Sequence, residues 1–141
     1  MRGFIGLTVA DAMTSGVTTI APDAAVGELE ALIERTDYNS YPVVRDGRLV
    51  GIVTKLDFLR NFIFTTETVL PHYDALMRRP VAEIMRTDVL ILAPDTPLTR
   101  VLQMMVDHST KSFPVLDGGR LVGIISREDV IRALRRAVGR G

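Results

Sequence analysis

The stretch GRLVGIVTKLD, residues 47–57, is followed 72 residues later by GRLVGIISRED, residues 119–129. Both copies have a turn glycine, an apolar run typical of a buried strand, and a closing Ser/Thr-x-x-Asp. At the same offset, residues 9–62 align with residues 81–134 without a gap, and 18 of the 54 positions are identical. Chance would give about 3 identities at roughly 6% per position. The chain therefore contains an internal duplication.

The apolar pattern of each repeat predicts, in order, a helix, a short strand, a helix, two strands and a helix. Asp46-Gly47 and Gly118-Gly119 separate the two apolar strands of each copy, as in hairpins. A repeat of this size buries too little surface to be stable alone, so the copies are expected to pack around a pseudo-two-fold axis. The predicted fold is α/β (α+β), with a small three-stranded sheet and flanking helices in each repeat. The predicted boundaries are repeat 1 at 1–62, a connector at 63–80, and repeat 2 at 81–141, which ends in a basic helix.

The composition excludes several classes of function. Lys and Arg together number 17, as do Asp and Glu, so no overall charge favours nucleic acid as a partner. The absence of cysteine excludes disulfides and thiolate metal sites and fits a reducing compartment. No apolar run is long enough for a membrane span, so we predict a cytoplasmic protein. His72 and His108 are too isolated to predict a metal site.

Two further features of the sequence bear on catalysis and on nucleic-acid binding. No nucleophile with a nearby base and no phosphate-binding loop is found, so the sequence does not predict an enzyme. The arginines of the last fifteen residues, 127–141, could contact nucleic acid, but a solvated helix face is the favoured interpretation in a neutral chain.

The Ser/Thr-x-x-Asp motifs lie where a strand is predicted to turn into a helix. In one interpretation, the hydroxyl and the carboxylate form a capping box that satisfies amides of the first helical turn. In the other, the amides and the hydroxyl face a phosphate, and the carboxylate accepts hydrogen bonds from the hydroxyls of a ribose. The glycine three residues before each hydroxyl could allow close approach of a ligand or of a neighbouring backbone. The residues concerned are Thr54, Asp57 and Gly51 in repeat 1, and Ser126, Asp129 and Gly123 in repeat 2.

Both repeats contain, in order, Val-x-x-x-Met, Ala-Pro-Asp, Ser-aromatic-Pro-Val and Gly-apolar-apolar-[Ser/Thr]-x-x-Asp. This pattern resembles the cystathionine β-synthase (CBS) domain in a tandem pair, or Bateman module, over about 108 of the 141 residues. The resemblance implies a regulatory, energy-sensing module that binds AMP, ADP or ATP, ahead of S-adenosylmethionine or NAD, in a cleft between the repeats. It also implies a homodimer formed through the helices at 58–62 and 130–134, and an unidentified effector protein. A structural dimerisation module with vestigial or unoccupied nucleotide sites is the alternative.

The resemblance implies two ligand sites. For the site with the repeat 2 motif it assigns Ser126, Arg127, Asp129, Lys111, Ser15, Val17, Tyr38, Asn39, Tyr41 and Pro42. For the site with the repeat 1 motif it assigns Thr54, Lys55, Asp57, Thr87, Val89, Thr110, Lys111, Phe113 and Pro114.

The two sites differ in nearby charge. Lys111 occupies the position of Asn39 in the other repeat, and with Arg127 it leads us to predict that the Asp129 site prefers a phosphorylated adenosine. The alternative for Lys55, Lys111 and Arg127 is a solvated surface charge. Tyr41 and Phe113, which precede the shared proline, could wall an adenine pocket or belong to the core.

Overall fold

A computed structural model describes residues 2–63 and 73–139 of the chain. The chain divides into two compact units: unit 1 comprises Met1–Val17 and Leu90–Gly141, and unit 2 comprises Thr18–Val89. Residues 64–72 of the predicted connector, which include His72, lie outside the described residues, as do Met1, Arg140 and Gly141. The repeat boundaries predicted from the sequence remain a prediction.

Unit 2 contains a hairpin, three α-helices and a short 3-10 turn. Along the chain these are α3 (Val26–Thr36), β1 (Ser40–Arg45), β2 (Arg48–Thr54), α4 (Lys55–Arg60), α5 (Tyr73–Arg78) and the 3-10 turn Val81–Glu83. The apolar stripe of α3 is buried, and the helix ends at Asp37, which adopts a left-handed conformation with φ of 55°.

Unit 1 repeats this plan with elements from both ends of the sequence. They are α1 (Arg2–Ile5), α2 (Val9–Ala12), α6 (Leu98–His108), β3 (Ser112–Asp117), β4 (Arg120–Ser126) and α7 (Arg127–Gly139). Helix α6 ends at Ser109, whose φ of 51° matches that of Asp37 at the equivalent position in unit 2. None of the helices in residues 2–63 and 73–139 is long and apolar enough to cross a bilayer.

The hairpins form as the sequence predicts. Both central turn residues have positive φ in each copy, 53° and 79° at Asp46 and Gly47, and 60° and 83° at Gly118 and Gly119. Turns of this kind match the twist of the strands that they join. The predicted third strand is present only as a single parallel bridge, Ile20 to Val43 in unit 2 and Leu92 to Val115 in unit 1. The α/β (α+β) class is therefore confirmed, with a shorter third strand than predicted.

Each unit has its own apolar core, built on the inner face of its hairpin. Tyr41, with Val43 and Val53, lies at the centre of the core of unit 2. Phe113, with Val115 and Ile125, takes the equivalent place in unit 1. All six side chains are fully buried. The strand-to-helix junction, with the Ser/Thr-x-x-Asp motif, thus follows directly from the second strand of a hairpin whose inner face is buried.

Candidate functional site

The first motif caps α4. The backbone N–H and the hydroxyl of Thr54 both donate to Oδ2 of Asp57 at 2.9 Å, and the Asp57 N–H donates to the Thr54 hydroxyl at 3.1 Å. This is the reciprocal geometry of a capping box. The capping interpretation of the sequence is therefore correct for repeat 1.

The second motif has the same geometry at the start of α7. The Ser126 N–H donates to Oδ2 of Asp129 at 2.9 Å, and the Asp129 N–H donates to the Ser126 hydroxyl at 3.2 Å. Asp57 and Asp129 are the buried charged residues of the described chain, with 4% and 3% exposure. Buried carboxylates require charged or hydrogen-bonding partners, so their remaining contacts decide what else each can bind.

The second oxygen of each carboxylate faces arginine. Arg60 donates to Oδ1 of Asp57 at 3.1 Å, and Arg132, its counterpart in the duplication, donates to Oδ1 of Asp129. Asp57 has a further cationic partner, because Nε of Arg86 lies 3.1 Å from the same Oδ1. At the position equivalent to Arg86, unit 1 has Thr14, whose hydroxyl lies 3.2 and 3.4 Å from the two oxygens of Asp129.

The segments that carry Arg86 and Thr14 are held against the strands by the same backbone bonds. Arg86 exchanges hydrogen bonds of 2.8 and 2.9 Å with Ile52, and Thr14 exchanges bonds of the same two lengths with Ile124. A Cβ on Gly51 would lie 2.7 Å from the carbonyl oxygen of Arg86. Each glycine thus makes room for a neighbouring backbone, which is one of the two alternatives that the sequence left open.

Asp129 also borders a cavity in unit 1 of about 290 Å³. The cavity lies among α1, α2 and α7, and small or apolar side chains form much of its wall. The lining residues are Gly3, Leu7, Asp11, Ala12, Asp129, Arg132, Ala133, Arg136 and Ala137. The volume is at the lower end of the range found for small-molecule pockets.

Six of the residues assigned to the Asp129 site belong to unit 1. Ser15 and Val17 follow Thr14, and Arg127 binds back to the adjacent loop through its N–H to the Lys111 carbonyl (3.0 Å) and its Nε to the Thr110 carbonyl (3.2 Å). The side chains of Lys111 and Arg127 are exposed. The six residues are Ser126, Arg127, Asp129, Lys111, Ser15 and Val17.

Five of the residues assigned to the Asp57 site belong to unit 2: Thr54, Lys55, Asp57, Thr87 and Val89. Lys55 forms an ion pair of 2.6 Å with Asp37 at the surface. The other residues predicted for each site belong to the opposite unit, and their role there remains a prediction. They are Tyr38, Asn39, Tyr41 and Pro42 for the Asp129 site, and Thr110, Lys111, Phe113 and Pro114 for the Asp57 site.

The two aromatic residues considered for an adenine pocket are core residues in this structure. Phe113 and Tyr41 have no exposed surface. The Tyr41 hydroxyl accepts a hydrogen bond from the Tyr38 N–H at 3.0 Å and pairs with the Thr36 hydroxyl at 2.8 Å. Tyr41 therefore ties the end of α3 to the hairpin, whereas Tyr38 is half exposed.

The sequence interpretation missed four residues of these sites. Arg60 and Arg132 are identical at matched positions three residues after the aspartate, which is the spacing of neighbours on one helix face. Arg86 and Thr14 differ at a matched position next to Met85 and Met13, which are conserved between the two copies. Comparing the repeats position by position would have pointed to both. Within residues 2–63 and 73–139, no group of three or more His, Cys, Asp or Glu side chains could hold a metal ion.

Two α/β units, each with a buried Ser/Thr-x-x-Asp cap at its strand-to-helix junction, make the chain a tandem-repeat module. The model of the CBS domain family matches residues 9–63 and 81–136, so the chain belongs to the CBS domain family. Pairs of this domain are regulatory modules and not catalysts.

Relatives of known structure cover nearly the whole chain. CBSX2 of Arabidopsis thaliana, solved in complex with AMP, matches with a TM-score of 0.82 and 25% identity over 94% of this chain and 99% of its own. The CBS domain pair of protein MJ0100, in complex with 5′-methylthioadenosine and S-adenosyl-L-methionine, matches with a TM-score of 0.73 and 25% identity over 93% of this chain and 98% of its own.

An A-adding tRNA nucleotidyltransferase of Geobacter sulfurreducens is 34% identical over 89% of this chain, which spans 13% of that protein.

Proposed function

We propose that this chain is a regulatory module that binds an adenosine-containing ligand at its Ser/Thr-x-x-Asp motifs. The observation that carries the proposal is that two solved neighbours, each matching more than nine-tenths of the chain, bind AMP in one case and S-adenosylmethionine and methylthioadenosine in the other. These three compounds share an adenosine group, and a ribose presents two vicinal hydroxyls that suit a carboxylate acceptor. Asp57 and Asp129 are the carboxylates that would receive them.

The charge around the second motif favours a phosphorylated adenosine there. Lys111 and Arg127 are exposed beside the Asp129 cap and form no ion pair with the other described residues. Lys55, at the position equivalent to Arg127, is already paired with Asp37. Ammonium and guanidinium groups are the usual partners of phosphate. AMP, ADP and ATP are therefore proposed ahead of S-adenosylmethionine and NAD.

The proposed output is a change of conformation that an effector protein reads in the cytoplasm. A ligand can shift a conformational equilibrium only as far as it binds one arrangement better than the other. Replacement of the donors now bound to a buried carboxylate by ribose hydroxyls would supply such a difference, because the released side chains would need new partners. The lack of cysteine in the sequence fits a reducing compartment.

Calorimetry with AMP, ADP, ATP, S-adenosylmethionine and NAD tests the proposal, with 2′-deoxy-AMP included to remove one ribose hydroxyl. We expect a phosphorylated adenosine to bind, 2′-deoxy-AMP to bind roughly tenfold more weakly, and Asp129→Asn to lose binding. Asp117→Asn, which changes an exposed aspartate at the end of β3, is the matched control. If none of the compounds binds the native chain, the proposed function is wrong.

Dimerisation is the second candidate function, and it rests on exposed apolar side chains near the predicted contact helices. Leu59 on α4 is 61% exposed, Ile63 is 71% exposed, and Ile131 on α7 is 55% exposed. Leu59→Asp is expected to convert a dimer into a monomer in sedimentation velocity. Val106→Asp, at an equally exposed apolar position on α6, should leave the oligomeric state unchanged. A monomeric native chain would rule this function out.

A further inference from the structure

We infer that Arg86 blocks ligand binding at Asp57, so that the chain binds one adenosine ligand, at Asp129. The side chain at position 86 decides whether the Asp57 site can bind, and the side chain at position 14 decides this for the Asp129 site. This inference rests on the proposed function and extends it. It comes from the difference in charge between the partners that residues 86 and 14 supply to two similar carboxylate environments.

The two environments share most of their contacts. Besides the difference at residues 86 and 14, the Thr54 hydroxyl also donates to Oδ2 of Asp57 at 2.9 Å, whereas Oδ2 of Asp129 receives the Ser126 N–H. Each aspartate closes a capping box with one oxygen, and each receives an arginine three residues later on the same helix at the other oxygen. The side chains of Arg60 and Arg132 are both 49% exposed, and both aspartate side chains are 3% exposed. Arg86 and Thr14 lie on equivalent backbone, held by the same pair of hydrogen bonds to β2 and β4. Positions 86 and 14 therefore give the two carboxylates different partners, a guanidinium group at Asp57 and a neutral hydroxyl at Asp129.

At Asp57, two guanidinium groups converge on Oδ1 at 3.1 Å, and two donors from Thr54 occupy Oδ2. Ribose hydroxyls could reach this carboxylate only by displacing one of these groups. Loss of Arg86 would remove a charge-assisted hydrogen bond from a buried carboxylate, and such bonds are roughly twice as strong as neutral ones. A neutral hydroxyl does not replace that interaction, so ligand binding at Asp57 is opposed.

At Asp129 the corresponding donor is weak. The Thr14 hydroxyl lies 3.2 and 3.4 Å from the two carboxylate oxygens, longer than the roughly 2.7 Å typical of such bonds. A ribose hydroxyl can take this place with better geometry and without loss of an ion pair, since Arg132 still neutralises the carboxylate. Asp129 is also one of the residues that line the cavity of about 290 Å³ in unit 1.

Exchange of the two side chains tests the inference. In titration calorimetry with the adenosine compound that binds the native chain, we expect one ligand per native chain, two per Arg86→Thr chain and none per Thr14→Arg chain. The double variant should bind one ligand, and its binding should now be lost on Asp57→Asn and kept on Asp129→Asn. The affinity of the Asp57 site should rise at least about tenfold in Arg86→Thr.

Matched controls change the same residue types elsewhere in each unit. Arg45→Thr at the exposed end of β1 and Thr99→Arg on the exposed face of α6 should both leave one ligand per chain. Since each unit already shows that its own residue fits the shared backbone, the swapped variants are expected to fold, which circular dichroism and thermal melting verify.

The outcomes separate the inference from the function on which it depends. Two ligands per native chain, or one per Arg86→Thr chain, overturn the role of Arg86 and leave the proposed function standing. Binding that persists in Thr14→Arg also overturns it. Failure of the native chain and of every variant to bind any adenosine compound overturns the proposed function and the inference together.

Discussion

Gly51→Ala should destabilise the chain because a backbone already occupies the space beside this glycine. The added Cβ would lie 2.7 Å from the Arg86 carbonyl oxygen and 2.7 Å from Sδ of Met85. The methionine side chain can move. The Arg86 carbonyl, however, accepts a hydrogen bond from the Ile52 N–H at 2.9 Å, and it cannot move away from residue 51 without lengthening that bond. The clash is therefore with fixed backbone.

The magnitude follows from the contacts that must give way. Overpacking in a close-packed interior costs about 1–3 kcal/mol. Weakening of one or both hydrogen bonds between Ile52 and Arg86 adds about 1 kcal/mol, and the lower entropy of alanine in the unfolded chain returns about 0.5 kcal/mol. The free energy of unfolding should fall by about 1.5–3.5 kcal/mol. For a chain of this length that corresponds to a melting temperature lower by roughly 5–12 °C.

Calorimetric or dichroism melting curves measure the effect. Gly123→Ala should cost less than Gly51→Ala, because its nearest backbone atom, the Thr14 oxygen, is 3.0 Å away and its closest contact is the flexible Met13 at 2.6 Å. Gly6→Ala is the control, since a Cβ there meets nothing within 4 Å. If Gly51→Ala melts within about 2 °C of Gly6→Ala, the close approach of residues 85–86 to β2 is wrong.

Three further changes have defined outcomes. Thr54→Ala removes the hydroxyl that accepts the Asp57 N–H, so chemical denaturation should show a loss of about 1 kcal/mol, whereas Thr54→Ser, which copies Ser126, should lose less. Tyr41→Phe leaves the Tyr38 N–H and the Thr36 hydroxyl without the phenol oxygen. It should cost about 1–2 kcal/mol by the same assay, and a cost near zero would contradict the hydrogen bonds seen here. The hydrogen bond that Tyr73 donates to Glu30 raises the pKa of this phenol above its ordinary value, so Tyr73 should ionise at a higher pH than a free tyrosine. Glu30→Gln should bring that titration down in pH when the ultraviolet absorbance of tyrosinate is followed, with Tyr73→Phe identifying the signal; an unchanged curve would show that the bond does not form.

The sequence predicted the hairpins well because these depend on local chemistry. A turn that needs two residues of positive φ, bounded by two apolar runs, identifies the hairpin, and both turns formed as predicted. The register was not predicted, and it shifts at a bulge between Val43 and Val44 and between Val115 and Leu116. The capping boxes were also predictable, because a hydroxyl and a carboxylate three residues apart can meet only in the first turn of a helix. The third strand was overestimated because one bridge at Ile20 or Leu92 suffices to align these segments.

The partner of each opening segment could not be predicted from the sequence. Val9 to Met13 and Val81 to Met85 resemble each other, as do β2 and β4, so the sequence fits either pairing of segment and strand. The structure places Thr14 against Ile124 and Arg86 against Ile52, so that each opening segment joins the strands of the other repeat. The contact of Arg86 with Asp57 depends on that choice and is therefore a tertiary feature. The same holds for Thr14 and Asp129.

This pairing also affects the order in which the chain can fold as it is synthesised. Unit 2 is continuous, Thr18–Val89, and has all of its residues once Val89 has been made. Unit 1 needs both ends of the sequence: Phe4 and Val9 pack with Phe113 and Val130, which follow more than a hundred residues later. Until then the first segment of a nascent chain has no native partner, and its apolar side chains remain available for wrong contacts. A circular permutant that begins near residue 90 and joins the old ends through a linker would make unit 1 continuous as well. In the native order, unit 2 separates the two segments of unit 1, and these segments can meet only by closing a long loop. The permutant does not need this closure, so its unit 1 should fold faster.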